Sequence, residues 1–243
     1  MGRQEKKVTR VSPRTLEAIY RKLFSAFGPR HWWPGETPFE VAVGAILTQN
    51  TAWSNASAAV QELKRRNLLD PLKLEKLPQR RLAGVIRSSG YFNQKAKRLK
   101  VFVRYLNRNY SGQIGRMKKA PLARLRQELL SLWGIGPETA DSILLYALDK
   151  PVFVVDAYTQ RILARHRLIP WDASYGQIQE LFHSAAGKGE PQVAKYNEYH
   201  ALIVETGKRF CRTQPDCSSC PLKKVGNLKL EPGAAIRSKM HKK

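Results

Sequence analysis

The chain has 243 residues, 42% of them hydrophobic, and carries 43 lysines and arginines against 19 acidic residues, a formal net charge of +24. That length and apolar content support one sizeable core or two small lobes and exclude disorder throughout. No apolar run is long enough to span a bilayer, and the basic start (Arg3, Lys6, Lys7, Arg10) lacks a signal-peptide core behind it, so the sequence predicts a cytoplasmic protein, nucleoid-associated if prokaryotic. Basic residues recur along the whole length, a field that favours a polyanion as partner.

Helical periodicity dominates. Leu16, Ile19, Tyr20 and Leu23 form one apolar stripe, with Ser12 as N-cap, Pro13 at the first helical position and Gly28 as a stop. Thr37 and Pro38 start a second helix, and Phe39 to Leu47 is apolar nearly all round, which predicts a helix buried at the centre of the fold. Ala56, Ala59, Val60 and Leu63 repeat the helical spacing. Asn93, Gln94, Lys95, Lys97 and Arg98 open a further helix as an exposed basic face, opposite Ala96, Leu99, Val103 and Leu106. Leu122, Leu125, Leu129 and Leu132 lie on one face of a helix that stops at Trp133-Gly134-Ile135-Gly136-Pro137, and an amphipathic helix with Ala140, Ile143, Leu144 and Ala147 follows at once. Val152 to Val155 reads as an extended connection, since a lone strand has no ladder partner. Ala157 to His166 is helical, as is the segment holding Ile178, Leu181, Phe182 and Ala185. The predicted class is all-α, with at least eight helices.

Two features carry chemistry. In the helical hairpin, two glycines allow positive φ and leave backbone N–H groups at the start of the second helix, where a phosphate oxygen can be held without a side chain. Gly-x-Gly alone is a weak pattern, shared with ordinary helix-turn-helix connections. Eighteen residues after Glu138, however, the apolar stretch Val152-Phe153-Val154-Val155 delivers Asp156 to the start of another helix. An aspartate there caps the helix well; it can also carry out catalysis.

Over residues 12 to 222 this arrangement resembles the endonuclease III branch of the helix-hairpin-helix DNA glycosylase superfamily, with further matching stretches at Gly44 to Thr51 and Gly90 to Ala96. The resemblance implies two helical lobes flanking a DNA-binding cleft: a barrel lobe over 40–150 containing the hairpin (about 122–148), and a second lobe from 12–39 plus 151–225. Basic tails (1–11 and 226–243) lie outside both. Double-stranded DNA containing a damaged base is the implied partner, and the protein is expected to be a monomer. Asp156 would stabilise positive charge on the deoxyribose as the base departs. Gln49 would enter the gap left by the extruded base. Gly134, Ile135, Gly136, Thr139, Asn93 and Lys95 would contact DNA.

Lyase members of the family carry a lysine in the second hairpin helix to form a Schiff base; here that position is Glu138, which implies hydrolysis without strand cleavage. Trp32-Trp33-Pro34, Leu47-Thr48-Gln49-Asn50-Thr51 and Gly134 to Asp141 are most similar to the monofunctional 3-methyladenine DNA glycosylases of that branch. A cationic alkylated purine favours aromatic walls, and Trp33, Trp53 and Trp32 are the expected base pocket. The other readings are a bifunctional glycosylase and abasic-site lyase for oxidised pyrimidines, and a non-catalytic DNA-binding module.

All three cysteines, Cys211, Cys217 and Cys220, fall within ten residues, which in a reducing compartment suggests metal rather than disulfides. The family holds a [4Fe-4S] cluster here with four cysteines, but the fourth position is Gly226. An iron-sulfur cluster on an incomplete set, a zinc site borrowing His200 or His241, or no metal at all remain open, and the loop (211–220) is read as structural.

Overall fold

A computed structural model describes residues 11–30, 32–33, 35–185 and 192–225. Both basic tails, apart from Val11, lie outside the described residues, as do Pro34 of the tryptophan motif, Gly226 and His241. Among the described residues every regular element is helical, and no helix is long and apolar enough to cross a membrane. The chain divides into two compact units, Trp33–Val154 and the two flanking segments Met1–Trp32 and Val155–Lys243.

Helix α1 (Pro13–Phe27) belongs to the discontinuous unit. The Ser12 hydroxyl accepts from Thr15 N at 3.2 Å, Pro13 opens the helix, and Gly28 closes it at φ 65° with its N–H on Phe24 O.

The continuous unit is built around α2 (Pro38–Leu47). Every residue from Phe39 to Leu47 is buried, including Glu40, whose carboxylate is held by Lys64 at 3.3 Å. A helix buried on all sides needs neighbours all round, and they come from α3 (Trp53–Arg65), α6 (Phe92–Tyr110) and the second hairpin helix. Short helices α4 (Pro71–Lys76) and α5 (Gln79–Val85) pack on α6, and α7 (Ile114–Met117) follows it. The hairpin comprises α8 (Leu122–Ser131) and α9 (Pro137–Ser142), the latter continuing as a π-helical turn over Ile143–Ala147. Residues Thr139 to Leu148 are all buried, so this helix is enclosed rather than amphipathic. The apolar stripe that the sequence displays is only the part of its surface that happens to be periodic.

Beyond the extended segment 151–156, the chain returns to the discontinuous unit with α10 (Ala157–Arg165), α11 (Tyr175–Ala185) and α12 (Gln192–Arg209). α12 packs against both α1 and α10. Gly207 permits the second contact: a Cβ placed there would lie 2.1 Å from Tyr158 Cδ1. Arg30 ties the end of α1 to α12, donating its N–H to Glu198 at 2.7 Å and pairing with Glu205 at 3.5 Å.

Candidate nucleic-acid and catalytic site

The hairpin turn is stabilised from beneath and open above. Ile135 is buried and its N–H bonds Leu132 O at 3.1 Å, so that amide is committed to the turn and not to a ligand. Of the two glycines only Gly134 takes positive φ, 79°; Gly136 is extended at φ −93°, ψ 178°, a conformation any residue adopts. What Gly136 offers is space, since nothing lies within 4 Å of a Cβ built on it, and α9 begins there without a side-chain cap. Gly134 has the opposite constraint: its Cβ would meet Arg98 Cγ at 2.7 Å. The two hairpin helices are clamped by Arg126, whose Nε and Nη2 reach the buried Asp141 carboxylate at 2.7 and 3.1 Å.

Gln49 lies in the turn after α2. Its amide nitrogen donates to Thr139 Oγ1, and its carbonyl accepts from Arg98 Nη1. Both ends of the amide are thus engaged within this unit, and insertion into a duplex would exchange these bonds for bonds to a base. Asn93 is exposed at the start of α6.

Lys95 is not a surface contact. It is fully buried, and its Nζ donates to Leu47 O at 2.9 Å and Ser89 O at 2.5 Å. The expected basic face is therefore corrected: Lys95 sits on the apolar stripe with Leu99, Phe102 and Leu106, at helical spacing. Burial, with Arg98 adding a smaller repulsion, lowers its pKa to about 8. Lys97 stays exposed, with its ammonium 3.9 Å from the centre of the Trp133 ring.

The expected aromatic pocket is partly assembled. Trp33 and Trp53 meet edge to face at 4.9 Å and 79°, and Trp33 also lies 4.9 Å from Tyr146 at 39°. Gly44 provides the floor: a Cβ placed there would lie 3.4 Å from both indoles. At 79° the two tryptophans cannot sandwich a planar base between parallel faces. Tyr146, carried in by the π turn, is the residue sequence reasoning missed; π turns often mark functional sites, but helical periodicity does not reveal them. Trp32 falls in the other unit, where Lys208 sits 5.4 Å over its ring.

Asp156 caps α10. Its Oδ1 accepts from Thr159 N at 2.7 Å and Thr159 Oγ1 at 2.8 Å. Its Oδ2 takes no part in the cap and faces His200 Nε2 at 3.5 Å. Burial raises its pKa, but the His200 and Thr159 contacts outweigh that and hold the carboxyl below its usual range. The residue is both a cap and a buried carboxylate kept ionised.

The three cysteines line one small cavity together with Arg165, His166 and Asp216. Their loop is tied to α10: Arg161 Nε donates to Cys211 O at 2.6 Å, and Arg165 donates to Arg212 O at 2.6 Å and to Cys211 Sγ at 3.2 Å. Among the described residues no three His, Cys, Asp or Glu side chains are grouped to hold a metal ion. His200 is turned to Asp156, which removes it from a zinc set. The donors present fall short of a four-thiolate cluster.

Residues 43–187 match the model of the HhH-GPD superfamily of base excision DNA repair proteins. The chain belongs to the HhH-GPD superfamily. Among curated HhH-GPD relatives, a Methanocaldococcus jannaschii protein assigned by name to the DNA repair glycosylases is 46% identical over 207 residues, 84% of this chain and 92% of that one. Endonuclease III of Thermotoga maritima is 30% identical, covering 86% of this chain and 90% of its own length. Among solved structures, 3-methyladenine DNA glycosylase (MagIII) of H. pylori bound to 1,N6-ethenoadenine superposes with a TM-score of 0.68 at 28% identity, covering 81% of this chain and 95% of that one. An endonuclease III–DNA complex shares the HhH-GPD fold with a TM-score of 0.75 at 22% identity, covering 89% and 96%.

Proposed function

We propose that this HhH-GPD protein is a monofunctional DNA glycosylase that binds duplex DNA and hydrolyses the N-glycosidic bond of an alkylated purine of the 3-methyladenine kind. The observation that carries the reading is Asp156: a buried carboxylate held ionised, with one oxygen fixed by the cap and the other outside it. Loss of a base leaves positive charge on the sugar, and a fixed anion in a dry site stabilises that charge and orients the attacking water. An alkylated purine is already cationic, so departure needs little proton donation, and recognition supplies the remaining selectivity. The Trp33, Trp53 and Tyr146 cluster offers electron-rich ring surface for it. The likeness to the H. pylori enzyme supports the same lesion class.

Glu138 stands at the position where a Schiff-base lysine would act, and a carboxylate forms no imine. Lys95, the cation lowered to about 8, is enclosed on its carbonyl partners and is no substitute. Separate duplexes carrying alkylated, oxidised and mismatched bases, incubated with the protein and then heated in alkali, test the reading. Alkali-dependent breaks confined to the alkylated duplex, with no borohydride-trapped adduct, are expected. Breaks without alkali, or a trapped adduct, would replace it with a lyase. Release confined to another lesion would move the substrate class.

A further inference from the structure

Asp156 has two carboxylate oxygens, and the cap uses one. Oδ1 is fully occupied by the amide and hydroxyl of Thr159, both from α10 itself. Chemistry therefore belongs to Oδ2, and the group facing Oδ2 is His200, contributed by α12 forty-four residues later in the chain. We propose that His200 is the positioning residue of the reaction: it fixes Oδ2 and keeps it anionic while leaving its negative charge available to the sugar. The proposal rests on reading Asp156 as the catalytic carboxylate.

The surroundings favour this over a histidine that merely fills space. His200 is only 5% exposed, and its Nε2 faces Asp156 Oδ2. The other charged groups on the packed helices are turned elsewhere. On α12, Glu198 accepts from Arg30 N, and Glu205 pairs with Arg30 and Arg209. On α10, Arg161 and Arg165 are directed to the cysteine loop. Tyr199, next to His200, donates to Leu16 O of α1, and Tyr175 Oη accepts from Val155 N at 3.4 Å. An imidazole nitrogen facing Oδ2 orients the anion, which suits a site where a cation forms nearby.

The test is single-turnover base release from an alkylated duplex, followed across the acidic pH range for wild type, His200→Leu, His200→Gln and Asp156→Asn. His200→Leu is expected to lower the plateau rate on the order of tenfold or more and to move the acid limb to higher pH, because Asp156 then protonates more readily. His200→Gln, which keeps a donor, is expected to recover much of the rate and to show a smaller upward shift. Binding to a duplex with a stable abasic analogue should be unchanged in both. A role in packing alone would lower stability without moving the limb. If the limb stays at the wild-type position in every folded His200 variant while Asp156→Asn is inactive, the inference about His200 is overturned by itself. If Asp156→Asn still releases base, the underlying reading of Asp156 falls and takes this one with it. Should the leucine variant not fold, the glutamine variant decides, and an unmoved limb overturns the inference.

Discussion

Lys95 and Asp156 are buried charges whose pKa values both move down, one in each unit, and the same direction means opposite things. For Lys95 a lowered pKa means that its charge is disfavoured: burial outweighs the carbonyls of Leu47 and Ser89 that receive its protons. For Asp156 a lowered pKa means that its charge is favoured: Thr159 and His200 more than compensate for burial. The lysine pins the end of α2 and has no accessible surface to offer a substrate. The aspartate keeps an anion ready on an oxygen the cap does not use. A buried charge is therefore suited to catalysis when its partners hold the reactive form, not merely when its pKa is displaced.

Asp156→Asn should separate the charge from the cap most sharply. Asparagine caps a helix about as well as aspartate, so the thermal midpoint should stay close to wild type while base release falls on the order of a thousandfold in single-turnover assays. A fall in both together would mean that Asp156 is chiefly structural. Lys95→Ala should do the reverse: it opens a cavity and orphans two carbonyls, costing about 2–4 kcal/mol in urea unfolding, with base release per folded molecule preserved.

Titration distinguishes the pair next. The unfolded lysine takes up its proton near 10.5 and the folded one near 8, so the unfolded state binds more protons between those values. Wild-type stability should gain a rising contribution with pH across that window, and Lys95→Met should remove it; a difference curve flat from pH 8 to 10.5 would contradict the shift. Asp156 contributes stability that is present above its unfolded pKa and is lost as pH falls through the lower folded value. The smallest effect is expected from Thr159→Val, which removes one of the two bonds to Oδ1. It should cost about 1–2 kcal/mol and leave most of the activity, because the Thr159 amide still holds the carboxylate.

Much of this fold is legible in the sequence because its signals are local. Ser12, Pro13 and Gly28 mark α1 at both ends, and the unbroken apolar run from Phe39 to Leu47 identifies the central helix. Asp156 is legible for the same reason, standing between an extended run and a helix. Lys95 was open to recovery: it shares the spacing of Leu99, Phe102 and Leu106, and its polarity hid it within a charged stretch. His200 and Tyr146 were not. The first acquires meaning only when α12 is laid on α10, and the second only when a π turn redirects one side chain toward Trp33.

Helix glycines are common targets when a protein is to be made more robust, since alanine there usually lowers the entropy of the unfolded chain. Gly207 is a place to refrain. A methyl group at 207 would press into Tyr158 and act as a spacer between α10 and α12, roughly 10 Å along the axis from the turn that holds His200. A change made to harden the scaffold would then pull the imidazole off its carboxylate, and activity would be lost from a position buried between two helices.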